Sequence, residues 1–150
     1  MKTEKEERLV EELQTALSRL ERAGVQLITS NKKCNLIGYR SDLSNEELEV
    51  FDAFTSRFAR VSDMLFQRVF RLLDSLEFEE SNTLIDVLNH AEKRRIISST
   101  VEFKEIRELR NEITHEYALR ELGTLIHDVM KHTPILIDSV EKTIEYCKKY

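Results

Sequence analysis

Apolar residues recur every three or four positions along most of this chain, which is the spacing of one buried face of an α-helix. From about Thr3 to Asn31, leucine dominates these positions, while glutamate and arginine fill the others. This pattern predicts a long first helix. The segment around Asn35 to Ser44 interrupts the period and contains Gly38 and Asp42, so it predicts a turn.

A second long helix is predicted to begin at Ser44. The sequence Ser44-Asn45-Glu46-Glu47 has the capping-box pattern, in which a serine hydroxyl and a glutamate carboxylate accept hydrogen bonds from free amide groups. The apolar stripe that follows consists of Leu48, Phe51, Phe54 or Thr55, Phe58, Val61, Leu65, Val69 and Leu72. Aromatic residues can stack on nucleic-acid bases, but this helical spacing favours packing in the core.

Three further helical regions follow an acidic connection from Glu77 to Asn82. The first is a short helix from Thr83 to Arg94, and Ile96 to Ser98 forms a loop after it. Ser99 or Thr100 is expected to cap the next helix, because short hydroxyl side chains accept hydrogen bonds from free amide groups at a helix start. Its buried stripe is predicted to contain Ile106, Leu109, Ile113 and Tyr117.

The last helical region contains two residues that disturb helices. Gly123 is expected to mark the end of the preceding helix or a bend before the next one. Pro134 is expected to end or kink the final helix, because proline lacks an amide donor and clashes with the preceding turn. These boundaries give about five helices.

The composition supports an all-α fold. The 150 residues include only three glycines and one proline, and 34% of the chain is charged. Sheets and tight turns would require more chain-reversing residues. We therefore expect residues 1–150 to form a single domain, an antiparallel bundle of about five helices.

Charge and cysteine content narrow the functional classes. The formal net charge of −5 argues against a general nucleic-acid coat protein but allows a local basic site. Cys34 and Cys147 are far apart in sequence, which is typical of ordinary thiols in a reducing compartment. No signal peptide and no apolar run of membrane-spanning length are recognisable, so a cytoplasmic location is expected.

Chemically useful side chains gather between Arg107 and Tyr117, which read R-E-L-R-N-E-I-T-H-E-Y. On a helix, Asn111 and His115 share a face because they are four positions apart. Arg110 and His115 are five apart and diverge by roughly 140°. An arginine and a histidine on a helix are often merely solvated, and this alternative remains open from spacing alone.

Arginine and histidine together suit cleavage of an RNA phosphodiester without a metal ion. A histidine can accept and donate protons near neutral pH, and a guanidinium has a permanent charge with donors that match phosphate. Asp128 and His132 have a spacing that two metal ligands could use, but no third ligand is evident, so we predict neither a metal nor a cofactor. Glycine-rich phosphate loops and nucleophile-elbow motifs are absent from the sequence.

The series Arg110-Asn111, three residues, then His115-Glu116-Tyr117 resembles the signature of HEPN-domain proteins. Its H-x-Y ending resembles the HepT branch, the toxins of type VII toxin–antitoxin pairs whose antitoxin is a minimal nucleotidyltransferase. The stretch from Leu88 to Arg94 also resembles that branch, as do Ile96-Ile97-Ser98-Ser99 and Phe103. The similarity covers about residues 84–117.

This resemblance implies a metal-independent endoribonuclease. His115 would be the acid–base residue, Arg110 would hold the phosphate, and Asn111 would orient His115 or the phosphate. Tyr117 would be the residue to which the partner nucleotidyltransferase attaches AMP, which silences the toxin.

The resemblance also implies a homodimer with the motif at its interface. Lys104 and Arg107 lie on the face of Asn111 and His115 and are expected to bind RNA. The alternative is a non-catalytic subunit that binds substrate or regulates a two-component nucleotidyltransferase. This chain lacks the G-S and paired-aspartate pattern of the catalytic subunit, so it would be the helical companion.

Overall fold

Helices account for most of the chain that the computed structural model describes, residues 2–115 and 121–150. They are α1 (Glu4–Ile37), α2 (Asn45–Asp63), a π-helical segment (Met64–Val69), α3 (Phe70–Leu76), α4 (Leu84–Lys93), α5 (Thr100–His115), α6 (Leu122–Tyr146) and a 3₁₀ turn (Cys147–Lys149). The elements α2, π segment and α3 form one continuous rod. The described residues therefore form five helical rods without a strand, which confirms the all-α prediction.

Contacts between α1 and the second rod show that these two rods run antiparallel. Near one end of α1, Ser30 accepts a hydrogen bond from Arg57 at 2.6 Å. Nearer the start of α1, Glu12 lies 3.5 Å from Arg68. Later residues of the second rod therefore contact earlier residues of α1. A short connection between two helices produces this antiparallel arrangement.

The side chains that form the hydrophobic core of the bundle are mostly those of the predicted apolar stripes. Phe51, Phe54 and Phe58 are at most 1% exposed and lie in one continuous hydrophobic cluster. The aromatic residues of α2 are thus core residues, as their spacing predicted. The predicted capping box is also present, because Glu47 N–H donates to the Ser44 hydroxyl and Ser44 N–H donates to the Glu47 carboxylate.

The π-helical segment is a feature that the apolar pattern did not predict. Its wider turn is closed by the amide of Phe70, which donates to the carbonyl of Leu65, five positions earlier. Leu65, Phe66, Val69 and Phe70 are all buried, so this segment of the rod is packed in the core.

The end of α1 and the positions of Gly123 and Pro134 within α6 differ from the sequence predictions. α1 continues to Ile37, past the expected end near Asn31, because Cys34 is fully buried against α2 and extends the apolar face. Gly38, with φ of 72°, then ends the helix in a conformation that favours glycine. Gly123 lies in the first turn of α6, where a Cβ atom would come within 2.7 Å of the Tyr39 ring.

Pro134 does not end the last helix, because α6 continues from Leu122 to Tyr146. The buried residues Val129, Leu136 and Val140 lie on both sides of the proline, and their burial offsets the loss of one backbone hydrogen bond. Within residues 2–115 and 121–150, no helix combines the length and hydrophobicity that crossing a bilayer requires.

Candidate functional site

Several polar residues of α5 face away from its buried side, whereas Arg110 lies at the edge of the buried face, next to α2. Ser99 caps the helix by accepting a hydrogen bond from Glu102 N–H at 3.1 Å, which confirms one of the two predicted caps. Phe103, Ile106 and Leu109 are buried and attach the helix to the core. The opposite side of α5 therefore faces outward, and the residues exposed there include Lys104, Arg107 and His115.

The guanidinium of Arg110 is held by Asp63, the last residue of α2. Arg110 Nε donates to one carboxylate oxygen at 2.7 Å and Nη2 donates to the other at 3.0 Å. Hydrogen bonding to Asp63 raises the pKa of Arg110, while partial burial lowers it and the aspartate charge raises it further. This bidentate geometry gives the arginine a defined orientation.

Asn111 is the second polar partner of Arg110. Its side-chain oxygen Oδ1 accepts a hydrogen bond from Arg110 Nη1 at 3.3 Å. The side chains of Arg110 and Asn111 are therefore hydrogen-bonded to each other, although they leave the helix in directions about 100° apart. Spacing alone placed Asn111 with His115, and it did not predict this contact.

A groove of about 320 Å³ lies beside this group, between α5 and the rod that contains the π segment. It is lined by Asp63, Phe66, Gln67, Arg107, Arg110 and Asn111. Phe66 is only 2% exposed, and its ring lies edge-on to Phe103 with centroids 5.8 Å apart. The groove thus combines a rigid apolar wall with amide, carboxylate and guanidinium groups.

His115 is exposed at the end of α5 and is not among the residues that line the Arg110 groove. The regular helix from Thr100 to His115 maintains the angular divergence between Arg110 and His115 that their spacing predicts. Lys104 is also exposed but lies outside the groove lining, whereas Arg107 contributes to it. The predicted site residues are therefore only partly brought together within one chain.

Tyr117, the predicted modification site, lies outside the described residues. Asp128 and His132, the weak metal candidates, are on α6. His132 Nδ1 lies 2.8 Å from the Asp128 main-chain carbonyl oxygen, and its Nε2 lies 2.9 Å from a Glu105 carboxylate oxygen. Both ring nitrogens are thus engaged by protein atoms, and no group of three or more metal-binding side chains occurs in the described part of the chain.

Both cysteines are buried, and neither lies in the Arg110 groove. Burial raises the pKa of the Cys34 thiol to about 11. Burial and the charge of Glu77 raise that of Cys147 to about 12. Thiols with such pKa values stay protonated at neutral pH and are poor nucleophiles.

Sequence reasoning missed Asp63. It stands as a polar residue among the buried positions of the second rod, but its partner is 47 positions away, and nothing local indicates that pairing. It also missed a polar cluster at the other end of α3, where Asp74, Glu77, His90 and Arg94 meet. The available signal in the sequence was Asp74, a charged residue among the apolar positions at the end of the second rod.

No family model matches the chain, and no curated protein or solved structure shows significant similarity to it.

Proposed function

We propose that this protein is a metal-independent endoribonuclease, the toxin of a pair whose antitoxin is a minimal nucleotidyltransferase. The observation that supports this function best is the rigid mounting of Arg110. Asp63 and Asn111 hold its guanidinium between α5 and α2, beside a groove that contains a second arginine, Arg107. A positioned guanidinium is what stabilisation of a phosphoryl transition state requires.

The reaction that suits these residues is internal transesterification of RNA. The ribose 2′-oxygen attacks phosphorus and loses its proton to a base, while the bond from phosphorus to the 5′-oxygen breaks and that oxygen receives a proton. The products are a 2′,3′-cyclic phosphate and a 5′-hydroxyl. His115 serves as the acid–base residue, Arg110 neutralises the phosphoryl oxygens, and Asn111 orients the arginine.

Divergence of Arg110 and His115 on one helix supports a homodimer with shared sites. His115 does not line the groove that Arg110 lines, so a second copy that packs α5 against α5 supplies His115 to the Arg110 of its partner. A two-fold axis then creates two equivalent composite sites. Lys104 and Arg107, both exposed on α5, contact the RNA backbone next to them.

Cleavage of RNA in the presence of EDTA tests the enzymatic proposal. Arg110→Ala and His115→Ala should each lose activity by about a hundredfold or more while remaining folded. The matched controls are Arg22→Ala and His127→Ala, which remove exposed residues of the same types from other helices. Full activity of both site variants would refute the proposed catalytic roles.

Mixing the two inactive variants tests the shared site. After random exchange, half of the dimers are mixed, and each mixed dimer has one complete site, so about a quarter of the parental activity should return. An active monomer by sedimentation, or no recovery on mixing, would contradict a site shared between chains.

Tyr117 is proposed as the site of silencing by AMP. Co-expression with a nucleotidyltransferase encoded beside this protein should add the mass of AMP at Tyr117 and abolish cleavage, because the new negative charge repels RNA. Tyr117→Phe retains the ring but lacks the hydroxyl, so it should remain active and unmodified. Equal silencing of Tyr117→Phe would show that this tyrosine is not the switch.

A non-catalytic companion of a nucleotidyltransferase is the second candidate. It is favoured by the net charge of −5 and by Asp63, which neutralises Arg110 in the isolated chain. This alternative predicts that the purified protein binds the nucleotidyltransferase but leaves RNA intact. The nuclease assay with Arg110→Ala therefore separates the two functions.

A further inference from the structure

Asp63 lies at the junction between α2 and the π-helical segment. The amide of Met64, the next residue, donates to both the Arg60 and Val61 carbonyls, and the wide turn begins immediately after Asp63. This part of the rod is packed against the core by three buried side chains, those of Phe66, Val69 and Phe70. The carboxylate therefore projects from a rigid backbone, and π-helical turns often occur at functional sites.

The pairing with Asp63 leaves part of the Arg110 guanidinium available. A guanidinium has five N–H donors, on Nε, Nη1 and Nη2. Asp63 accepts from Nε and Nη2, and Asn111 accepts from Nη1, so among residues 2–115 and 121–150 one hydrogen on each of the two η nitrogens has no hydrogen-bond acceptor. Two donors on adjacent nitrogens match two oxygens of one phosphate.

The same pairing also restricts how the arginine can move. An arginine side chain with free rotamers loses conformational entropy when a ligand orders it. Contacts with α2 and with its own neighbour Asn111 already order Arg110, whose side chain is 27% exposed. The guanidinium is thus oriented before any phosphate arrives.

We propose that Asp63 is the positioning residue for Arg110, holding the guanidinium by its Nε–Nη2 edge so that the remaining η donors receive the phosphate of bound RNA. This inference rests on the proposed ribonuclease function. It differs from a purely competitive role, in which the carboxylate would occupy the place of the phosphate. Competition predicts that removing Asp63 increases both RNA affinity and rate, whereas positioning predicts a lower rate.

The test measures kcat and KM for RNA cleavage, and binding of an uncleavable RNA with 2′-deoxy substitution. Asp63→Ala should lower kcat about 10- to 100-fold without weakening RNA binding, because misplacing one group reduces the rate while losing a negative charge does not repel RNA. Asp63→Glu should recover part of kcat, since it restores a carboxylate. Asp52→Ala is the matched control, because Asp52 is an exposed aspartate of the same helix.

A double-mutant comparison identifies the residue through which Asp63 acts. Arg110→Lys keeps the charge but has no Nε–Nη2 edge, so adding Asp63→Ala to it should change kcat less than about twofold. If Asp63→Ala does not fold, Asp63→Asn replaces it and should lower kcat about tenfold, because the amide accepts only one of the two bonds.

Different results would overturn different statements. Parental kcat in Asp63→Ala, together with an inactive Arg110→Ala, would overturn the positioning role alone. A rise in both affinity and rate in Asp63→Ala would replace positioning with competition. Full activity in Arg110→Ala would remove the proposed function and the positioning role together. A lower melting temperature with unchanged kcat would leave the Asp63–Arg110 pair as a structural contact only.

Discussion

Replacing Glu77 with glutamine is expected to destabilise the protein at neutral pH and to do so much less in acid. Glu77 follows α3 and accepts hydrogen bonds from Tyr150 at 2.6 Å, from Tyr146 at 2.7 Å and from Arg94 at 2.5 Å. Lys149 adds a charge 3.3 Å away. This carboxylate therefore connects the end of α3 to the loop after α4 and to the end of α6.

The expected loss of stability in Glu77→Gln follows from the pKa of Glu77 in the folded protein. Burial raises this pKa, but the hydrogen bonds from Tyr150, Tyr146 and Arg94 and the charge of Arg94 outweigh burial and lower it from 4.5 to about 2. Because one pKa unit corresponds to about 1.4 kcal/mol, the ionised carboxylate stabilises the fold by about 3 kcal/mol at pH 7. The Glu77 side chain is only 20% exposed, so solvent screens this interaction weakly.

The sign of the pH dependence is set by the lowered pKa. The stabilisation is fully present above pH 4.5, the unfolded-state value, and is lost as the pH falls toward about 2. At pH 3 about 1.4 kcal/mol of it should remain. The difference in unfolding free energy between the parent and Glu77→Gln should therefore shrink by roughly half between pH 7 and pH 3.

Urea denaturation followed by circular dichroism at pH 7, 5, 4 and 3 measures this difference. Glu80→Gln is the control, because Glu80 is an exposed glutamate three positions away, and its replacement should change stability by less than about 0.5 kcal/mol. A gap between the parent and Glu77→Gln that is the same at pH 7 and pH 3 would refute the assignment of this stabilisation to the ionised carboxylate.

Three further outcomes follow from buried or strained groups. Thr143 is fully buried, and its hydroxyl has no hydrogen-bond partner in the described part of the chain, so Thr143→Val should stabilise the protein by about 1 kcal/mol. Thr133→Val is the control and should not stabilise it, because it removes the hydrogen bond from the Thr133 hydroxyl to the Val129 carbonyl. Equal effects of the two variants in thermal denaturation would contradict this reasoning. Phe78 has φ of 57° and is 84% exposed, so Phe78→Gly should stabilise by about 0.5 to 1 kcal/mol and Phe78→Ala should not. A thiol reagent at pH 8 should label Cys34 and Cys147 only after unfolding, and rapid labelling of the native protein would contradict their burial and raised pKa values.

Much of the fold could be predicted because helix patterns are local. A three-to-four spacing identifies which face of each helix is buried, and capping residues such as Ser44 and Ser99 act on amide groups within three positions. Predictions that depended on competition between local preference and burial were less accurate. Pro134 lies inside α6 and α1 continues to Ile37, because core contacts override the local signals.

The candidate site was predictable only in its outline. Arg107, Arg110, Asn111 and His115 could be assigned to one exposed helix from spacing, and their roles in RNA cleavage stay predictions. The partner of Arg110 could not be identified from the sequence. Asp63 precedes it by 47 positions, and a π turn that no apolar pattern revealed adjoins the carboxylate.

The helical class, the buried faces and the helix that contains the arginine and histidine follow from local patterns, since they depend on residues within one or two turns of each other. The pairing of Arg110 with Asp63, the position of His115 outside the Arg110 groove and the contacts of Glu77 with three helices became visible only in the folded chain. These features depend on which rods lie next to each other and on how far each rod is shifted along its neighbour. Hydrophobic packing sets these two things, and the side-chain hydrogen bonds between rods depend on them.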